Sequence, residues 1–288
     1  MLPTPHLLAL SSALCTALAT VLIGRGLRGA TFWAGAWINV VVGAIAAWSA
    51  AAVLVPVEEY TWQAVPYFAL SGLIGTTGGR LFRVLAIQKV GAPVAAAINN
   101  LTPLVASVLA IVLLGERVQP PIVVGTLVIV TGTILLSLSG RYVGFRVPDL
   151  AYPFIAATCF GAVQILRKLG LASAGPLLGA TINVSAALIA STAFVAASGN
   201  LGSLRCSRRS LLYFIGGGIA ENGGVFLLLL ALGWGDVSVV VPLAGTAPLF
   251  VLGLAYLVPS DRSRLGWRIV AGVILIVLGV AILTGVRS

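Results

Sequence analysis

Residues 15–27 read CTALATVLIGRGL, and residues 159–171 read CFGAVQILRKLGL. The cysteines, Leu22/Leu166, Gly26/Gly170 and Leu27/Leu171 coincide at a constant offset of 144. The same offset carries Ile38-Asn39-Val40 onto Ile182-Asn183-Val184, and Gly78-Gly79 recurs as Gly223-Gly224 at offset 145. Thr102, Pro103 and Leu104 face Thr246, Pro248 and Leu249, and Gly125 and Gly132 face Gly272 and Gly279 at offset 147. An ordered series with a slowly drifting offset marks an internal duplication. It divides the chain into two repeats, 1–140 and 141–288.

The surroundings of these stretches are apolar throughout. Of 288 residues, 59% are hydrophobic and 8% are charged, against roughly 25% charged in a soluble domain. With 34 glycines and a mean hydropathy of +1.11, this is the composition of an all-α polytopic membrane protein. It excludes a secreted disulfide scaffold, a disordered chain and a soluble nucleic-acid binder. Cys15 and Cys159 lie in apolar segments and Cys206 in a basic loop, with no disulfide framework and no metal-ligand spacing.

A helix needs about 20 apolar residues to cross the hydrocarbon. Ten such stretches are expected: 6–24, 31–55, 64–87, 92–114, 120–138, 150–171, 176–198, 210–232, 237–257 and 266–285. The first lacks a basic leader, and Leu14 before Cys15 does not suit lipoprotein processing, so it is expected to be a retained helix. Pro93, Pro120, Pro121, Pro148 and Pro176 fall at span starts, where a missing N–H is tolerated. Pro103, Pro242 and Pro248 fall within spans four and nine, as candidate gating hinges or as kinks absorbed by packing.

Each repeat holds five spans. Five is odd, so the second repeat enters the bilayer from the opposite side. Inverted repeats with a site at the midplane between them characterise secondary transporters. Orientation follows from the basic residues. One side carries Arg25, Arg28, Lys89, Arg141, Arg146, Arg205, Arg208, Arg209, Arg262, Arg264 and Arg268, with Arg80 and Arg83 facing the same way. The other carries Arg117, Arg167, Lys168 and Arg287, and its loop with Glu58 and Glu59 holds no Lys or Arg. Both termini are therefore expected outside the cytoplasm of a bacterial inner membrane.

Pro103-Leu104, then Leu114-Gly115-Glu116-Arg117, then Gly125 and Gly132 resemble the EamA repeat of the drug/metabolite transporter superfamily. The resemblance covers nearly the whole chain as two repeats. The second copy has Val258-Pro259-Ser260-Asp261-Arg262 where the family writes Leu-Gly-Glu-Arg. The chain is similar to the YddG-type group of bacterial exporters, and that resemblance implies export of amino acids, aromatic ones included.

Polar groups inside a span are costly, and each is a candidate for function. Glu221 is the one acid well inside a span, and Arg80 and Arg83 of span three are its symmetry-related basic partners. The alternatives are an Arg80–Glu221 ion pair joining the repeats, a substrate-facing role, or proton coupling. Asn39 and Asn183 are repeat mates with identical neighbours, which suits matched interhelical hydrogen bonding. Asn99, Asn100, Gln164 and Asn222 have no matching amide in the other copy, so they are better candidates to bind an asymmetric ligand, with satisfied packing as the alternative. Asn99 and Asn100 stand one turn before Pro103, which removes the N–H that the Asn99 carbonyl would accept. Trp33, Trp62, Trp234 and Trp267 read as an interface belt, whereas the deeper Trp37 and Trp48 either pack or stack on substrate.

A membrane enzyme would need a nucleophile with a base, paired carboxylates or metal ligands. One histidine, His6, and one deep acid do not supply them. The sequence has no P-loop, so gradients or partners must supply the energy. The expectation is a monomeric carrier of amino acids in contact with lipid, with no cofactor, metal or nucleic-acid partner, working by alternating access as a uniporter. A drug or sugar/nucleotide-sugar carrier and a lipid flippase or scaffold subunit are the rivals.

Overall fold

The computed structural model describes residues 4–56, 61–138, 146–197, 204–256 and 267–285. Glu58, Glu59, Arg141, Arg262, Arg264, Arg287 and the variant stretch 258–262 lie outside the described residues. Among the described residues the regular structure is helical. The first repeat comprises α1 (Thr4–Gly26), α2 (Phe32–Leu54), α3 (Val65–Leu73), a π-helical stretch (Ile74–Gly79) and α4 (Arg80–Val90). It continues with α5 (Ala92–Asn99), α6 (Thr102–Leu109), a second π-helical stretch (Ala110–Leu114) and α7 (Pro120–Ser137). The second comprises α8 (Ala151–Gly170), α9 (Pro176–Ala197), α10 (Arg208–Trp234), α11 (Val237–Ala244), α12 (Ala247–Tyr256) and α13 (Trp267–Gly285).

Nine helical segments among the described residues are long and apolar enough to cross a membrane. The exception among the ten expected spans is 64–87. It is helical from α3 through α4, but IGTTGG together with Arg80, Arg83 and Lys89 dilutes its apolar length. Local chemistry sets the starts. Thr31 Oγ1 accepts the Ala34 N–H (3.2 Å), Ser207 Oγ accepts the Ser210 N–H (3.1 Å), and Pro120 and Pro121 open α7.

Spans four and nine are both broken helices. Residues Asn100–Leu101 separate α5 from α6, and Gly245–Thr246 separate α11 from α12. Pro103 and Pro248 therefore stand at the second position of a new helix and not inside a continuous one, while Pro242 is inside α11. The breaks are sealed alike: Thr102 Oγ1 donates to the Asn99 carbonyl (2.7 Å), and Thr246 Oγ1 donates to the Leu243 carbonyl (2.7 Å). The carbonyl that Pro103 was expected to leave open to a ligand is thus satisfied by a hydroxyl three residues on. The two breaks also adjoin, because a Cβ at Gly245 would stand 3.1 Å from the Pro103 ring.

Exchanging the repeats maps the packing onto itself. α1 lies along α10 as α8 lies along α3 and α4; α2 packs on α10 as α9 packs on α3; α6 packs on α8 as α12 packs on α1. The mates α2 and α9 pack on each other, as do α7 and α13. Both pairs run antiparallel. Trp37 Nε1 donates to Thr192 Oγ1 and Trp48 Nε1 to Ser185 Oγ (3.0 Å each). In α7 and α13, Gly125 meets Gly279 and Gly132 meets Gly272, backbone to backbone. A Cβ at Gly132 would stand 2.7 Å from the Gly272 carbonyl oxygen. Small residues are what let membrane helices approach this closely.

Two phenylalanines lock the repeats together in the same way. Phe68 of α3 fits against Gly170 and Gly179, and Phe214 of α10 fits against Gly26 and Gly35. Both rings are fully buried. A Cβ at Gly26 would come within 2.5 Å of the Phe214 ring, and one at Gly170 within 2.6 Å of the Phe68 ring.

Candidate functional site

Between the repeats lies a cavity of about 520 Å³, within the usual range for a small-molecule site. It is walled by α1, α2, α3, α4, α8, α9 and α10. At one end it reaches Leu54, the last residue of α2, and Leu177, near the start of α9.

Arg80 Nη2 donates to Glu221 Oε1 at 3.1 Å. The other carboxylate oxygen, Oε2, accepts from Asn39 Nδ2 at 2.7 Å. Asn222 Nδ2 donates to the Gly218 carbonyl (2.8 Å) and to the Asn39 carbonyl (3.3 Å). The cluster thus joins α2 and α4 of the first repeat to α10 of the second. Gly43 makes room for it, since a Cβ there would collide with the Asn222 amide. Asn183, the mate of Asn39, turns instead to Ser71 Oγ and the Phe68 carbonyl. Both asparagines bond across the repeat boundary, but only Asn39 meets a carboxylate.

Of the residues expected to bind substrate, Arg80, Gln164, Glu221 and Asn222 line this cavity. Asn99 and Asn100 do not. Asn100 Nδ2 donates to the Thr133 carbonyl (3.1 Å) and to Ser137 Oγ (2.9 Å), tying α5 to α7. Asn99 Oδ1 is buried without a partner among the described residues, away from the cavity wall. Trp37 and Trp48 tie α2 to α9. Trp33 packs on Phe194, with centroids 5.3 Å apart, and both rings line a small apolar pocket of about 50 Å³ that Arg80 also lines.

Sequence reasoning missed two features. Arg167 was counted as a charge near a loop, yet it lines the cavity beside Gln164. Its mate at offset 144 is Ile23, so the asymmetry that singled out Gln164 singles out Arg167 as well. The second feature is a clamp on the α10–α11 turn. Glu116 Oε1 accepts the Val237 N–H (2.8 Å) and Oε2 accepts the Ser238 N–H (3.0 Å), which caps α11. Lys168 Nζ donates to the carbonyls of Leu232 (2.7 Å) and Gly235 (2.9 Å) at the end of α10. The carboxylate sits at the positive end of one helix and the ammonium at the negative end of the other.

Comparison with known proteins agrees with this architecture. No curated protein matches the chain. One solved structure, described only as a crystal structure of a protein, is similar over 98% of this chain and 96% of its own, with a TM-score of 0.82 and 19% identity. At that identity the likeness concerns the fold alone. The profile of the EamA-like transporter family matches twice, over residues 4–138 and 150–285. The two matched segments are the two helical repeats that enclose the cavity, and the chain belongs to the EamA-like transporter family.

Proposed function

We propose that the chain spans a bacterial inner membrane ten times, as two inverted repeats of residues 1–140 and 141–288, and exports amino acids by alternating access. Aromatic amino acids and related small metabolites are included, as in the YddG-type group, and the working unit is a monomer. The observation that carries this reading is the cavity between the repeats, with the Arg80–Glu221–Asn39 cluster in its wall. A charge-bearing cavity at a repeat interface is what a carrier of small polar metabolites requires. The antiparallel pairing of α2 with α9 and of α7 with α13 supports inversion, and α3 through α4 is assigned as the tenth span because Ser71, Arg80 and Arg83 line the cavity.

The same placement sharpens the orientation. Arg80, Arg83 and Arg167 belong to the cavity and Lys168 to the clamp, so none of them reports on loops. Arg117 and Arg287 then stand alone against the eleven basic residues of the opposite loops, which supports periplasmic termini. Transport is a uniport driven by the substrate gradient. Both oxygens of Glu221 are engaged by Arg80 and Asn39, leaving no free carboxylate in the cavity wall to carry a coupled proton.

A sugar or nucleotide-sugar carrier is the second reading, favoured by the third cavity arginine, Arg167. Uptake into proteoliposomes of labelled amino acids, nucleotide sugars and cationic drugs, with and without a pH gradient, separates the readings. Amino-acid uptake that is indifferent to the gradient supports the first. Uptake of nucleotide sugars alone replaces it with the second, and accumulation abolished by a protonophore removes the uniport.

A further inference from the structure

Four charged side chains line the cavity: Arg80, Arg83, Arg167 and Glu221. Arg80 is matched by Glu221, so two cations are in excess. Arg83 has no hydrogen-bond partner among the described residues and adds to the field around the pair. Arg167 stands apart, on the α8 wall. Its guanidinium makes no ion pair or hydrogen bond among the described residues, and its Nε is fully buried. One turn earlier on the same helix face, Gln164 is 9% exposed, and its Oε1 is buried without a donor among the described residues. A buried cation and a buried acceptor left unmatched in one wall are costly, unless a ligand completes them.

The duplicated half shows what the fold itself needs at these positions. Ile23, the mate of Arg167, simply packs on Gly217. Thr20, the mate of Gln164, is satisfied within its own helix by the Thr16 carbonyl (2.8 Å). An apolar residue and a self-satisfied hydroxyl therefore suffice for helix packing. The arginine and the glutamine are departures from the repeat, and both face the cavity.

Resting on the exporter reading above, we propose that Arg167 and Gln164 form the subsite for the carboxylate and amino groups of the substrate. We further propose that the excess of cavity arginines ranks amino acids of net negative charge above the neutral ones, aromatic ones included, and neutral ones above cationic ones. The planar guanidinium takes the carboxylate in a two-point hydrogen bond. Gln164 Oε1 accepts an N–H from the neighbouring ammonium. Arg83 supplies the attraction for a second carboxylate, and the same field rejects organic cations.

The test uses purified full-length protein and three amino acids of similar length that differ chiefly in net charge: glutamate, glutamine and lysine. Counterflow exchange in proteoliposomes is expected to favour glutamate over lysine by at least about tenfold, the scale of one charge-assisted pair. Arg167→Gln brings that ratio towards unity. Arg167→Lys keeps the preference but raises the KM for glutamate, because an ammonium holds the charge without the fork. Gln164→Leu raises the KM for glutamate and leaves glutarate, which has no amino group, unchanged. A preference for lysine in the wild type, or an unchanged ratio in well-folded Arg167→Gln, overturns the subsite; so does an equal effect of Gln164→Leu on glutamate and glutarate.

If Arg167→Gln does not fold, the Arg167→Lys and Gln164→Leu results decide. If none of the amino acids moves, the exporter reading fails separately, and thermal stabilisation in detergent judges the subsite. A melting temperature raised by glutarate in the wild type but not in Arg167→Gln upholds it, and no rise in the wild type overturns it.

Discussion

Replacing Glu116 by alanine removes a contact that crosses from one repeat to the other. The carboxylate accepts two backbone N–H groups, from Val237 at 2.8 Å and Ser238 at 3.0 Å, at the start of α11. Hydrogen bonds to a charged group contribute about 1.5–3 kcal/mol each. Glu116 is half-buried, so solvent competes for the freed N–H groups, and the pair together contributes roughly 2–4 kcal/mol after that discount. In a chain of this size about 1 kcal/mol moves the melting temperature by about 2–4 °C, so a fall of roughly 5–10 °C is expected for Glu116→Ala. Glu116→Gln retains one acceptor oxygen and falls by about half as much, having also lost its charge opposite the helix dipole. The assay is a thermal melt in mild detergent followed by size-exclusion chromatography of the soluble fraction. A Glu116→Ala melt within about 1 °C of wild type would refute the capping role, since losing even the solvent-discounted contribution shifts the melt further than that.

Phe68→Ala and Phe214→Ala act on equivalent notches and are expected to destabilise by similar amounts. Lipid tails match the apolarity of the lost ring, so what remains is the cavity term of about 24 cal/mol per Å³ over roughly 100 Å³, or about 2–3 kcal/mol; melts differing by the full effect of one variant would break the equivalence. A hinge role for the adjoining helix breaks predicts that Pro103→Ala and Pro248→Ala each slow transport while leaving folding and substrate binding intact. Unchanged initial rates for both variants would remove that role. A reporter that fluoresces only in the cytoplasm, fused after Ser288, should stay dark, and bright cells with intact fusion protein would reverse the orientation.

The duplication was legible because paired identities such as Cys15/Cys159 and Asn39/Asn183 survive at a nearly constant offset. The Arg80–Glu221 contact was one of three readings that the repeat symmetry left open, and the structure shows that pair, reached by side chains and not by close packing of α4 on α10. Asn99 and Asn100 were placed by a local rule, that a proline frees a carbonyl. The rule failed because Thr102 supplies a hydroxyl from within the same turn, a local contact three residues on that competes with any ligand for the carbonyl. Arg167 was missed for the opposite reason. A basic residue near a helix end normally reaches for the interface, and only the seating of α8 against α3, α4 and α6 turns this one into the cavity. The glycine notches around Phe68 and Phe214 were hidden in plain sight, because small-residue spacings recur along every span and do not reveal which ring fills them.

Counterflow tests the central claim most directly, because only a carrier that exposes one site alternately to each side can drive it. Proteoliposomes are loaded with unlabelled amino acid and diluted into a trace of the labelled compound, with equal pH on both sides. The account predicts a transient accumulation of label above equilibrium that decays as the internal pool runs down, and that is insensitive to a protonophore. Label that rises to equilibrium without overshoot, or that enters no faster than into empty liposomes, would contradict it.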